Sequence, residues 1–294
     1  MIRKDKIKFL GYLFLILLVS FFFTLLISPN TIQIGFVPSI IIFSGIIFLV
    51  QWVFFIHSYL LNSEYYFDLV GSMTFISIII SAFLISDIKD FRSMVLFFIV
   101  IVWAIRLGSF LFFRIRLKGF DNRFSSIKND FFKLFFVWNL QGMWILFSIS
   151  PALISLLSEA KNSMGILGYV GILVWALGFL IEIIADYQKM IFRSKKENEK
   201  NFINSGFWAW VRHPNYLGEI ILWFGVSIIS FPVLIGWQFL SLLSPIFVAI
   251  LLIKISGVPI LEENNKNRWG DNPEYLTYIK NTPMIIPRIL KIKK

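Results

Sequence analysis

Residues 9–27 read FLGYLFLILLVSFFFTLLI, an unbroken apolar run behind a basic start at Arg3, Lys4, Lys6 and Lys8. A helix crosses the hydrocarbon of a bilayer in about 20 residues, and this run has that length. It is longer than a signal-peptide core and has no small-residue cleavage site, so it reads as a retained first transmembrane helix. Runs of the same kind recur, which predicts helices at 7–28, 36–58, 66–86, 93–113, 132–156, 164–187, 216–231 and 234–255. The last two are short or interrupted at Pro232 and Pro245, so the expected count is seven to eight. Hydrocarbon offers no partner to a free backbone N–H or C=O, which leaves helices or a closed barrel. A barrel strand alternates every second residue, and runs such as Ile76 to Ile80 do not. The expected fold is all-α, a polytopic membrane helix bundle forming one membrane domain over 1–294.

The composition agrees. Of 294 residues 57% are hydrophobic, 34 are Phe, and only 15% are charged, against about 25% in a soluble domain. That leaves too little polar surface for a water-soluble enzyme. With no Cys there is no disulfide framework, thiolate site or Cys nucleophile. The two His, His57 and His213, form no paired ligand motif, so no metal is expected.

The net charge of +11 is informative through its placement. With eight helices and the amino terminus inside, 24 of the 28 Lys and Arg fall in four segments on one side. Lys89, Arg92 and Lys161 fall on the other, and Arg106 lies within a span. This is a positive-inside pattern with both termini cytoplasmic. It assigns the basic excess to orientation at a lipid bilayer, a bacterial inner membrane by expectation, with no nucleic acid as partner.

Four constellations carry candidate chemistry. Glu182 and Asp186 lie four apart on one face of an apolar helix, followed by Arg193. Ionisable groups there cost free energy unless paired or wetted. Their structural alternative is pairing with Lys189 and Arg193. The second is the run from Gly206 to Glu219, containing Arg212-His-Pro-Asn-Tyr-Leu-Gly-Glu219. Pro214 suits a first helical turn. Asn215 and Glu219 then share a face, and Arg212 and His213 sit at a helix start suited to an anion. Interfacial anchoring by Trp208 and Trp210 is the plainer account. The third is Arg106, whose guanidinium wants a phosphate or carboxylate, Asp68 or Glu64 being the structural partners. The fourth is Glu64-Tyr65-Tyr66-Phe67-Asp68, where Asp68 begins an apolar span and Tyr65 and Tyr66 are either anchors or proton donors.

At Arg212-His-Pro-Asn-Tyr-Leu-Gly-Glu219 the chain resembles the steroid 5-alpha-reductase-like membrane proteins, specifically the bacterial DUF1295 group. The similarity runs from about Tyr65 to Pro287. It takes in Asp68-Leu-Val-Gly-Ser72, Arg106-Leu-Gly108, Arg114, Gln141-Gly142, Trp175-Ala-Leu-Gly178, Glu182 and Ala185-Asp-Tyr-Gln188. It continues with Ser256-Gly-Val-Pro259, Glu262, Tyr275-Leu-Thr-Tyr278, Thr282 and Pro287. The resemblance implies an NADPH-dependent reductase of a lipid-soluble enone or activated C=C substrate. It implies substrate-side helices in 1–130 and a cofactor-binding half in 131–294. Carried over by position, Asn215 and Glu219 meet the nicotinamide end of NADPH, Asp186 and Arg193 its ribose and phosphate, and Glu182 stands where the steroid enzymes have Asn. Arg212, His213, Tyr216, Arg106 and Tyr278 complete the expected cofactor set.

The steroid enzymes carry a Tyr three residues before the Arg matched to Arg106, and here that position is Trp103. Indole is a donor only and cannot serve as the acid. The proton donor is therefore expected among Asp68, Tyr65 and Tyr66, or the substrate is not a 3-oxo steroid. A second reading is an S-adenosylmethionine-dependent membrane methyltransferase of the isoprenylcysteine or phospholipid type. Such enzymes carry a similar Arg-His-Pro block and a later Glu, which Glu262-Glu263 mimics. A third is a non-catalytic membrane scaffold.

Overall fold

The computed structural model describes the chain apart from Met1, Ile88, Phe120, Ser126, residues 160–161 and residues 288–294, and apart from the side chains of residues 2–6, Lys118 and Asn122. Lys161, Arg288, Lys291, Lys293 and Lys294, and the side chains of Arg3, Lys4, Lys6 and Lys118, thus lie outside the described residues.

The helices are α1 (Ile2–Ile27), α2 (Ser39–Leu60), α3 (Phe67–Ile85), α4 (Phe91–Lys118), α5 (Phe131–Leu157), α6 (Gly165–Ser194) and α7 (Pro214–Ser230). A 3₁₀ stretch Gly236–Leu243, α8 (Ser244–Ile250) and a π turn Leu251–Ile255 follow, then α9 (Val258–Trp269) and α10 (Pro273–Asn281). The strands β1 (Gln33–Ile34) and β2 (Val37–Pro38) make a small antiparallel hairpin between α1 and α2. Among the described residues eight stretches are long and apolar enough to cross a membrane, which decides the count left open between seven and eight. The chain is a multi-pass membrane protein and an all-α bundle.

Three boundaries differ from expectation, the first at α4, which runs to Lys118 instead of ending near 113. The helix α6 runs to Ser194 instead of ending near 187, so Lys189 and Arg193 are helical. Met190 and Ile191 carry its apolar character onward, and long basic side chains can lie along a helix end with their charges in water. The last span is no uniform helix over 234–255. Pro245 lacks a backbone N–H and stands second in α8, in the first turn, and the π turn precedes Gly257-Val-Pro259, where α9 starts.

The chain divides into two compact units, residues 1–169 with 226–244, and residues 170–225 with 245–294. In the first, α5 is central: 89% of its apolar window is buried, against 33–50% for α1 to α4. It packs on α1, α2, α3, α4 and the Gly236–Leu243 stretch. Its polar residues explain why. Gln141 Nε2 donates to the Phe67 carbonyl at 3.0 Å, and Asn139 Oδ1 accepts from Trp52 Nε1 at 3.0 Å. Gln51 Nε2 reaches Thr74 Oγ1 at 3.2 Å. Polar side chains in a lipid-embedded bundle join helices in this way. The Arg92 side chain, on the side that the charge pattern leaves poor in cations, is 1% exposed. It donates to the carbonyls of Asn162, Ser163 and Met164 at 3.0, 2.8 and 3.2 Å. It serves as a loop clamp, which accounts for its departure from the pattern.

In the second unit α6 and α7 touch through glycine. A Cβ on Gly218 would lie 2.6 Å from Glu182 N and 2.6 Å from the Gly178 carbonyl. A Cβ on Gly178 would lie 2.5 Å from Leu222 N. Only the missing side chains allow this approach, and backbone cannot step aside. The loop before α7 is fastened by Trp208 Nε1 to the Ala185 carbonyl (3.0 Å) and by Phe207 N to Gln188 Oε1 (3.0 Å). Arg212 N and His213 N donate to the carbonyls of Pro283 and Met284 at 2.9 and 3.1 Å.

Gly218→Val should lose about 1–3 kcal/mol to overpacking. Gly45→Ala in α2, where an added Cβ meets nothing within 4 Å, should be neutral or gain up to about 1 kcal/mol of helix propensity. Thermal unfolding in detergent distinguishes them, and equal effects would refute the close α6–α7 contact.

Candidate functional site

Pro214 opens α7, and the residues just before it are Arg212 and His213. Two basic groups in partly or fully buried positions need a counter-charge. Glu262 of α9 provides it. Its Oε2 accepts from Arg212 NH1 at 2.6 Å, and its Oε1 lies 2.7 Å from His213 Nε2. Burial is the largest influence on His213 and holds it below the usual imidazole range. The Glu262 hydrogen bond and charge oppose that, while Lys189 and Arg212 reinforce it. A neutral His213 that donates Nε2–H to Glu262 leaves Nδ1 as an acceptor, and Nδ1 is buried with no hydrogen-bond partner. The imidazole stacks on the Tyr216 ring at 5.6 Å and 11°.

Around this trio lie further polar groups. Glu182 is 2%, Asp186 7% and Glu219 7% exposed. The Gly218 contact sets α7 against α6 at Glu182 itself, one residue from Glu219. Asn215 Oδ1 is buried with no hydrogen-bond partner. Three buried carboxylates and an unsatisfied carboxamide oxygen therefore share one pair of helices, an acceptor set suited to hydroxyls and amide N–H groups. Tyr278 donates its hydroxyl to the Trp208 carbonyl at 2.6 Å. Burial first, then the Glu262 and Tyr275 charges, push its phenol up against the opposing pull of Arg212. The Arg193 guanidinium lies 5.4 Å from the Trp269 ring centre.

The second unit thus holds Glu182, Asp186, Arg193, Arg212, His213, Asn215, Tyr216, Glu219 and Tyr278. Arg106 lies in the first unit, its guanidinium 5.3 Å from the Phe110 ring. So do Asp68, Tyr65 and Tyr66. Asp68 accepts from Arg123 NH2 at 2.5 Å, with Arg114 at 4.0 Å. Arg123 also holds Asp121 through Nε at 2.8 Å, and Lys128 lies 3.6 Å from Glu64. Burial works against the Arg123 charge, but Asp68 and Asp121 outweigh it and hold the guanidinium above its usual range. Tyr65 packs its ring on Tyr66 and Phe112, and Tyr66 is 44% exposed beside His57.

Two partners were missed from sequence. Glu262 stands in the series of matched residues and as the later Glu of the methyltransferase reading, but not as the partner of Arg212 and His213, whose need for an anion points to the few acids downstream of them. Arg123 lies in a loop, where nothing in the spacing links it to Asp68.

The family model described as a protein of unknown function, DUF1295, matches residues 54–282. The chain belongs to the DUF1295 family. The match covers α3 to α10 and the whole of the Arg212–His213–Glu262 site, and leaves out α1 and the first two thirds of α2. No curated protein and no solved structure matches the chain.

The folded-state value of His213 is depressed, so its contribution to stability is complete above the ordinary value of about 6.5 and is lost as pH falls through the lowered one. The unfolding temperature in detergent should decline below about pH 6.5, before carboxylates titrate near 4. His213→Gln should remove that step, and a variant that keeps it contradicts the assignment.

Proposed function

We propose that this DUF1295 protein is an integral-membrane, NADPH-dependent reductase of a lipid-soluble enone or activated C=C substrate, akin to the steroid 5-alpha-reductases. In this reading it lies in a bacterial inner membrane with both termini cytoplasmic. The observation that carries the proposal is the gathering of Glu182, Asp186, Asn215 and Glu219 on the abutting helices α6 and α7, with Asn215 Oδ1 buried and unsatisfied. A nicotinamide carboxamide has the N–H donors that this oxygen lacks, and ribose hydroxyls suit the carboxylates. The residues present fit the cofactor.

When bound, NADPH supplies a hydride to the electron-poor β-carbon, and a proton from the protein completes the two-electron reduction. Glu262 fixes Arg212 and His213, and with them the start of α7. Burial of Glu182, Asp186 and Glu219 excludes water from the groups that orient the ligand. Asp68 is engaged as an anion by Arg123, so the proton is assigned to the phenol of Tyr65 or Tyr66.

One observation also favours the methyltransferase reading. The grip of Glu262 on Arg212 and His213 joins an Arg-His-Pro block to a later Glu, the pattern that reading needs. The two separate by ligand. NADPH at about 100 times its Kd should raise stability by about 2.7 kcal/mol, and S-adenosylmethionine should not. Glu219→Gln should weaken NADPH about 10-fold or more while leaving the ligand-free protein folded. A response to S-adenosylmethionine alone ends the reductase proposal, and no response to either ligand favours a scaffold.

A further inference from the structure

Trp269, at the end of α9, is 6% exposed, and two guanidinium groups lie over its indole. The Arg193 guanidinium carbon is 5.4 Å and that of Arg268 is 5.0 Å from the ring centre. Both cations are thus held against one ring, no further apart than those two distances combined, on the order of the screening length of about 8 Å in physiological salt. Arg193 has no hydrogen bond or ion pair among the described residues. The platform is fixed in place. Trp269 Nε1 donates to the Lys200 carbonyl at 2.7 Å, and Arg268 donates to the Glu199 carbonyl. Phe202 packs on Trp269 from the same loop. A guanidinium held over an aromatic face keeps N–H groups for other partners, and a phosphate can take two of them at once. An open cleft beside it is lined by Lys200, Arg268, Trp269, Asp271, Asn272 and Glu274. Its two carboxylates disfavour a bare anion and favour a ligand that brings hydroxyl groups next to its phosphate.

We infer that Arg193, Arg268 and Trp269 form a subsite for a phosphomonoester dianion carried on a hydroxylated ligand. The inference rests on the NADPH reading for its natural ligand, where the group is the 2′-phosphate of the adenosine end. It adds Arg268 and Trp269 to the residues that would recognise the cofactor. It makes the site selective for NADPH over NADH, because NADH has no such phosphate. A phosphatidic acid headgroup carries the same phosphomonoester but no free hydroxyl, and is the competing source of the dianion.

The test uses the full chain in detergent. The probes are 2′-phospho-ADP-ribose, ADP-ribose, NADPH, NADH and dihexanoyl phosphatidic acid, each titrated calorimetrically. 2′-Phospho-ADP-ribose should bind about tenfold or more tightly than ADP-ribose, which has no phosphomonoester, and NADPH should exceed NADH by a similar factor. Arg268→Gln should bring both ratios towards one and leave ADP-ribose and NADH affinities unchanged. Arg268→Lys, which keeps the charge, should retain part of the ratio, and circular dichroism checks that each variant is folded. Unchanged ratios in a folded Arg268→Gln overturn the subsite, as does phosphatidic acid binding without the nucleotides. If NADPH and NADH bind equally, the subsite falls and the reductase reading stands. If the preference for 2′-phospho-ADP-ribose is present but neither nicotinamide cofactor binds, the subsite stands and the reductase reading falls.

Discussion

A buried polar group in hydrocarbon must find its partner inside the protein, because the solvent offers none. The fold follows from that constraint. It makes the spans helical. It also places α5 at the centre of the first unit, since Asn139 and Gln141 would be costly on a lipid-facing surface and instead join α5 to Trp52 and to the Phe67 carbonyl. It explains Arg92, whose charge spreads over three loop carbonyls. Lipid tails are as apolar as leucine, so packing and hydrogen bonds, more than apolar burial, hold helices together. The backbone approach at Gly178 and Gly218 is the packing form of the same solution.

That approach has a chemical consequence. Two helices separated by glycine bring their other side chains close, and Glu182 sits at the contact point itself. Carboxylates that would be dispersed on thicker helices are concentrated along one seam. Removing a side chain at Gly218 thus does two things, letting the helices meet and drawing Glu219 and Asn215 towards the α6 carboxylates. Structure and site are coupled at one residue, where a stabilising change cannot be made without altering the chemistry.

How legible this was depended on sequence distance. The spans could be read from hydropathy, because each is a local property of some twenty residues. Their ends were less legible: α6 extends past Lys189 because a lysine can keep its ammonium in water while its stem lies along the helix. The last span is legible only as an apolar run interrupted at Pro245, because hydropathy is blind to a π turn. In the site, the α6 and α7 residues were legible as i, i+4 pairs. Glu262 was not, since it meets Arg212 and His213 across 50 and 49 residues by packing alone. Asp68 illustrates the converse. Its place at a span start drew a catalytic expectation, whereas Arg123, from a loop with no periodicity to read, occupies its carboxylate.

The charges of the second unit are divided in a way that bears on what it can bind. Arg212 is neutralised by Glu262, and a neutral His213 adds no charge, so the start of α7 carries little net charge. What it offers is acceptors: Asn215 Oδ1, His213 Nδ1 and the nearby carboxylates. A phosphate placed there would meet more acceptors than donors. Arg193 and Arg268, which have no ion pair among the described residues, lie elsewhere in the unit against Trp269. A ligand that used both regions would need a neutral, donor-rich end and an anionic end. A dinucleotide with a carboxamide at one end and a phosphomonoester at the other has that distribution. S-adenosylmethionine, with a sulfonium, one carboxylate and no phosphate, would bring Arg193 and Arg268 less negative charge than a phosphomonoester dianion, and for that reason the charge distribution weighs towards the proposed reductase.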